Sequence, residues 1–279
     1  MMKQRQVMAY SLSLIVLSLY FFIKSLDSIH PFFYDLHVTQ EGPLDAKKVV
    51  ICFHGAGGNY QLPHPKEIEG IRWICFNFPD HDQNPRTVRA ENVSFGTFQE
   101  LLPAFYVLKK SIVEEGSQDV IIYGYSAGGG ALINCLALLQ NSTYDDRLKE
   151  IGISSKDKEQ LLEVLQRGTI LLDTPVKSVD ELMEVYPEFE ELKIIVRRAK
   201  ANGLDPLENL EELQGLSLNV FLHFQDPDEI LSNRKDHLYI ERLKTFNALG
   251  KTHVLIGQQE GHFLPHPQLW ECFFSTMKE

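Results

Sequence analysis

Three residue types, far apart in this chain, could together turn a hydroxyl into a nucleophile. Ser126 stands in Gly124-Tyr125-Ser126-Ala127-Gly128, and His262 in Glu260-Gly261-His262-Phe263. Two aspartates lie between them, in Phe224-Gln225-Asp226-Pro227-Asp228. A serine hydroxyl is a weak nucleophile at neutral pH. It needs a base to accept its proton, and the base needs a carboxylate to orient it. The chemistry open to such a set is attack on an acyl carbon, with a covalent serine intermediate.

The elements around these residues suit that work. Val120-Ile121-Ile122-Tyr123 is an apolar run, and a second run extends from Ala131 to Leu139. Between them lies a tight turn, so the pattern predicts strand, turn and helix with Ser126 at the turn. Such a turn crowds the serine's flanks, which is why glycine belongs at 124 and 128. The helix start behind Ser126 points free N–H groups at whatever the serine attacks. The plain alternative is a glycine-rich βα turn with no chemistry. His262 follows an expected last strand, Thr252 to Ile256, and Gly261 lets the backbone turn beside it. His266 and His253 are weaker candidates, one close to the final helix and the other inside a strand. Both aspartates follow an expected strand from Leu218 to His223. A third, Asp173, follows Thr169-Ile170-Leu171-Leu172.

Further strands are expected at Lys47–Phe53 and Arg72–Phe78, and an edge strand within Ser28–Gly42. The first is apolar throughout its centre, as for a strand covered on both faces. Helices are expected at Thr97–Glu115, in Asn141–Arg167, at His237–Leu249 with Gly250 as its C-cap, and at Pro267–Lys278. Strands alternating with helices predict an α/β fold with a mostly parallel, doubly wound sheet. The charged helical span Val179–Leu213, broken by Pro187 and Pro206, is longer than a plain crossover needs. It is expected to form a helical cap, inserted at about 174–216, over the Ser126 pocket.

Four motifs occur here in one order: His54-Gly55-Ala56-Gly57-Gly58 after a strand, the Ser126 turn, Asp228-Glu229-Ile230-Leu231, and Gly261-His262. From about Lys47 to Lys278 the chain resembles the α/β-hydrolases. The resemblance implies an eight-stranded type of sheet with the cap after the sixth strand. It implies a serine hydrolase, esterase- or lipase-like, acting through an acyl-enzyme. Ser126 would be the nucleophile, His262 the base and Asp228 the acid. Asp226, in an Asp-Pro variant of the string, and Asp173 remain alternatives for the acid. Backbone N–H groups of Ala56 and Ala127 would form the oxyanion hole, and His54 would be structural. An acyltransferase with the same triad, or a non-catalytic binding scaffold, are the competing readings. No cofactor or metal is implied, and the glycines after His54 lack the spacing of a phosphate-binding loop.

The net charge of −11 argues against nucleic acid as a partner; a small-molecule or lipid acyl substrate is expected instead. Oligomeric state is not legible. Lys3 and Arg5 precede an uncharged stretch from Gln6 to Ile23 without a clear cleavage site beyond it. Residues 1–26 are therefore expected to be a signal anchor, with a cleaved signal peptide as the alternative. Residues 27–279 form the hydrolase-like domain, outside the cytoplasm or exported. The four cysteines show neither metal nor disulfide spacing and are expected to be buried and reduced.

Overall fold

A computed structural model describes residues 38–55, 70–78, 96–185, 187, 190–226, 228, 230–231, 233–257, 262 and 267–276. The expected N-terminal segment 1–26 lies outside these residues, as do Ala56, Gly57, Gly58, Pro227, Gly261 and His266. No helix among the described residues is long and apolar enough to cross a membrane.

Seven strands form one sheet: β1 (Val38–Glu41), β2 (Lys48–Phe53), β3 (Ile71–Phe76), β4 (Asp119–Tyr125), β5 (Thr169–Asp173), β6 (Asn219–Gln225) and β7 (Lys251–Gly257). Their spatial order is β1-β3-β2-β4-β5-β6-β7. β1 runs antiparallel to β3, and every other pairing is parallel. The expected eight-stranded type thus has seven strands among the described residues. From β2 the chain first goes to β3 on one side and then returns to β4 on the other. The crevice of a doubly wound sheet opens at this reversal, beyond the carboxyl ends of the strands. His54 and Ser126, the residues just after β2 and β4, are therefore placed at its mouth.

The helices are α1 (Leu102–Leu108), α2 (Ala127–Gln140), α3 (Asp145–Glu150), α4 (Ser155–Arg167), α5 (Val179–Val185), α6 (Glu190–Ala201), α7 (Pro206–Asn209), α8 (Asp236–Phe246) and α9 (Pro267–Thr276). The expected helix at 97–115 has three parts: a 3-10 turn (Phe98–Leu101), α1, and a π-helical stretch (Lys109–Glu114). Successive side chains along each strand alternate between two apolar layers. Val49, Ile51, Phe53, Ile122, Ile170 and Leu172 meet the layer of α1, α2, α4 and α8. Val50, Cys52, Trp73, Tyr123 and Phe221 meet Leu269, Trp270 and Phe273 of α9. Cys52, Cys75 and Cys135 are buried free thiols, and Cys272 is half-buried.

Gly250 does not cap α8. Asn247 takes that place, and its Oδ1 accepts from Leu218 N–H at 3.0 Å. Gly250 instead lies so close to Leu218 that a β-carbon would stand 2.0 Å from that residue's carbonyl oxygen. In the 174–216 span, α5 and α6 pack on each other, and α7 packs along α2. Leu210 and Leu213 are fully buried in the core below. A β-carbon on Gly96 would come within 2.8 Å of Ala199 N and Ile195 O, and Asn202 Nδ2 donates to Gly96 O at 3.1 Å. α6 thus packs on Gly96, and Asn202 O just after it accepts from Tyr144 Oη at 3.2 Å, beyond the end of α2.

Candidate active site

Ser126 joins β4 to α2 with φ +50° and ψ −120°. Its neighbour at the end of β5, Thr174, also has a positive φ, +42°. Such backbone costs about 1–3 kcal/mol per residue and persists only where the surroundings enforce it. Here Ser126 N–H donates to Asp173 O, and Val176 N–H donates to Ser126 O, both at 2.9 Å. The flanking glycines are required sterically. A β-carbon on Gly128 would stand 2.1 Å from Phe53 O, and one on Gly124 would stand 2.8 Å from Gly129 Cα. Ala127 is the first residue of α2, so its N–H has no partner within the helix. It stands beside the serine, where the second expected oxyanion donor would join it; that donor, Ala56, is outside the described residues.

His262 Nε2 lies 2.9 Å from Ser126 Oγ, and its Nδ1 lies 2.8 Å from Asp228 Oδ2. An ionised carboxylate only accepts, so Nδ1 carries the proton and Nε2 accepts from the serine hydroxyl. All three side chains are largely shielded from water. Asp228 Oδ1 also accepts from Ile230 N–H and Leu231 N–H, each at 2.8 Å. Burial pushes this carboxyl up. The hydrogen bonds from His262, Leu231 and Ile230 outweigh burial and hold it below the usual carboxylate range. Such a chain can draw the proton from a serine hydroxyl and stabilise the imidazolium that results.

The other candidates lie elsewhere. Asp226 accepts from Asn233 Nδ2 at 2.9 Å in an exposed bond. Asp173 is wholly buried, accepts from Tyr123 Oη at 2.8 Å and meets His223 Nδ1 at 2.8 Å. Burial, with the Asp173 carboxylate beside it, drives the Tyr123 hydroxyl well above its ordinary pKa. His253 stacks on Phe221 with ring centroids 4.5 Å apart. His54 has a structural bond: its Nε2 accepts from Phe78 N–H at 3.1 Å, so Nδ1 bears the proton and donates to Gly55 O at 2.8 Å. This ties the start of the glycine loop to the end of β3. Among the described residues no cluster of three or more His, Cys, Asp or Glu side chains could hold a metal ion.

Two features escaped the sequence reading. Lys177, 1% exposed, lies 2.8 Å from both Glu181 Oε1 and Asp236 Oδ1, and 5.3 Å above the centre of the Phe224 ring. It joins the segment after Ser126's neighbour Thr174 to the start of α8, which follows the Asp228 loop. The spacing of Lys177 and Glu181 was a visible signal, whereas Asp236 carried none. The other is Tyr125, whose ring centroid lies 5.3 Å from that of His262.

No protein-family model matches the chain, and no curated protein matches it in sequence. Solved structures do match. A carboxylesterase of Lactobacillus plantarum superposes with a TM-score of 0.57 at 13% identity, over 89% of this chain and 95% of its own. Est1E of Butyrivibrio proteoclasticus, solved with ferulic acid bound, gives 0.57 at 12% identity over 88% and 96%. Esterase B of Lactobacillus rhamnosis gives 0.54 at 13% identity over 98% and 95%. At such identities the likeness is one of fold. The sheet order, the elbow at Ser126 and these superpositions define one class: the chain has the α/β-hydrolase fold.

Proposed function

We propose that this protein is a serine hydrolase that cleaves an acyl ester through an acyl-enzyme. The observation that carries this reading is the unbroken hydrogen-bonded chain from Ser126 Oγ through His262 to Asp228. Fold alone does not assign a reaction. Neighbours named as a carboxylesterase and an esterase, with a third, Est1E, solved with ferulic acid bound, favour a small ester among the acyl compounds.

In this mechanism His262 Nε2 accepts the Ser126 proton as Oγ attacks the acyl carbon. The carbonyl oxygen becomes negative and is met by Ala127 N–H, with Ala56 as the expected second donor; one such donor is worth about 3 kcal/mol to the transition state. The imidazolium, held by Asp228, returns its proton to the leaving alcohol. Water then repeats the sequence on the acyl-enzyme. The α5–α6 pair, seated by Gly96, would cover the acyl pocket, and residues 1–26 would hold the domain at a membrane surface.

The test is incubation of the full chain with a fluorophosphonate, alongside hydrolysis of p-nitrophenyl esters of increasing acyl length. Wild type should be labelled at Ser126 and should turn over esters; Ser126→Ala should do neither. Folded wild type that neither labels nor hydrolyses any ester would refute the reading.

A further inference from the structure

Tyr125 touches three of the segments that build the site. It is bonded to Ser126 itself. Its hydroxyl donates to the backbone carbonyl of His262, 137 positions away. Its ring lies against the imidazole, centroids 5.3 Å apart and planes 36° apart. On another side it meets Gly55, where a β-carbon would stand 2.8 Å from Tyr125 Cδ1 and Cε1 and 3.0 Å from Ser126 Cβ.

The physical consequence is a fixed distance. Asp228 orients the imidazole about its own bonds, but it does not set where the backbone of residue 262 lies. The tyrosine does this directly, because one end belongs to the nucleophile's strand and the other grips the histidine's carbonyl. We propose that Tyr125 is a positioning residue, which holds His262 within reach of the Ser126 hydroxyl and at the same time packs against Gly55. This inference rests on the serine hydrolase reading above. A displacement of the base by about 1 Å is enough to cost as much as ~100-fold in rate.

The test is Tyr125→Phe in the full-length chain, which removes only the hydroxyl. Its kcat should fall about ten- to hundredfold, with KM within about twofold of wild type because no substrate contact is lost. Fluorophosphonate should still label Ser126, more slowly. In a His262→Ala background the same change should leave the residual turnover unaltered, since the group it positions is gone. An unchanged kcat would overturn the proposal. So would an equal loss in the His262→Ala background, and so would a Tyr125→Phe chain that fails to fold where His262→Ala folds. If wild type itself is not labelled at Ser126, the hydrolase reading has failed; if it is labelled and Tyr125→Phe equals wild type, only the tyrosine's role has.

Discussion

Asp228 and His262 meet at 2.8 Å across 34 positions of chain, whereas Asp226 turns away to Asn233. The same loop thus presents one carboxylate to the imidazole and one to water. Asp228→Asn is expected to lower kcat by up to ~10⁴-fold, because the imidazole loses its working tautomer. Asp226→Asn should change turnover little, as exposed carboxylates contribute weakly. Asp173→Asn should lower stability through its buried bonds to Tyr123 and His223, with near-normal turnover of the folded fraction. Steady-state kinetics beside denaturation curves separate the three; a loss on Asp226→Asn as large as that on Asp228→Asn would move the acid.

The depressed Asp228 carboxyl also predicts a pH dependence of stability. A carboxyl whose folded pKa is lowered contributes stability above its unfolded value, about 3.9. That contribution disappears as pH falls through the lower folded value. The difference in thermal midpoint between wild type and Asp228→Asn should therefore be constant through neutral pH and shrink below about pH 4. A gap that widens in acid would contradict the assignment of the depressed value to this group.

Lys177 holds together two carboxylates that burial pushes upward. For Glu181 and for Asp236 alike, desolvation outweighs the attraction of Lys177. Lys177→Met leaves Glu181 buried without its cation and should cost about 3–5 kcal/mol. Adding Glu181→Gln removes the stranded charge and should recover part of the loss. Urea denaturation of the single and double variants measures both effects; a double variant no more stable than the single one would count against a charge-based explanation.

At Gly128, α2 lies directly against the end of β2. Its substitution by alanine would put a methyl carbon 2.1 Å from the Phe53 carbonyl oxygen. Neither partner can yield without moving strand or elbow, so Gly128→Ala should lower both the thermal midpoint and the rate of fluorophosphonate labelling. A variant matching wild type in both would mean that the elbow tolerates displacement.

The uncharged stretch from Gln6 to Ile23 predicts that the full chain sediments with membranes and that a chain starting at residue 27 does not. Carbonate extraction of both, followed by N-terminal sequencing of the mature protein, distinguishes retained anchor from cleaved signal. A mature chain beginning beyond residue 24 would establish cleavage.

What the sequence determined by itself was local. Apolar runs gave the strands, because a strand covered on both faces must be apolar throughout. Two glycines around Ser126 marked the elbow, because only a missing β-carbon fits there. His262 was a candidate from its place after the last strand, and the fold sets it 2.9 Å from Ser126. Between Asp226 and Asp228 only the resemblance of Asp228-Glu229-Ile230-Leu231 to a family string favoured Asp228, because two identical side chains two positions apart differ physically only in where the loop aims them. Ile230 and Leu231 N–H groups aim Asp228, and nothing in the residue types announces that. Gly250 was misread as a helix cap for a similar reason: its missing side chain answers to Leu218, which is distant in sequence. Lys177 meeting Asp236, and Tyr125 reaching His262, also had to await the sheet. Its register sets Tyr125 against Asp173 and Asp173 against His223, and so brings the loops after β4, β5 and β6 side by side. Spacing and sterics act within a few residues of chain, whereas contacts between those loops exist only once the strands have paired.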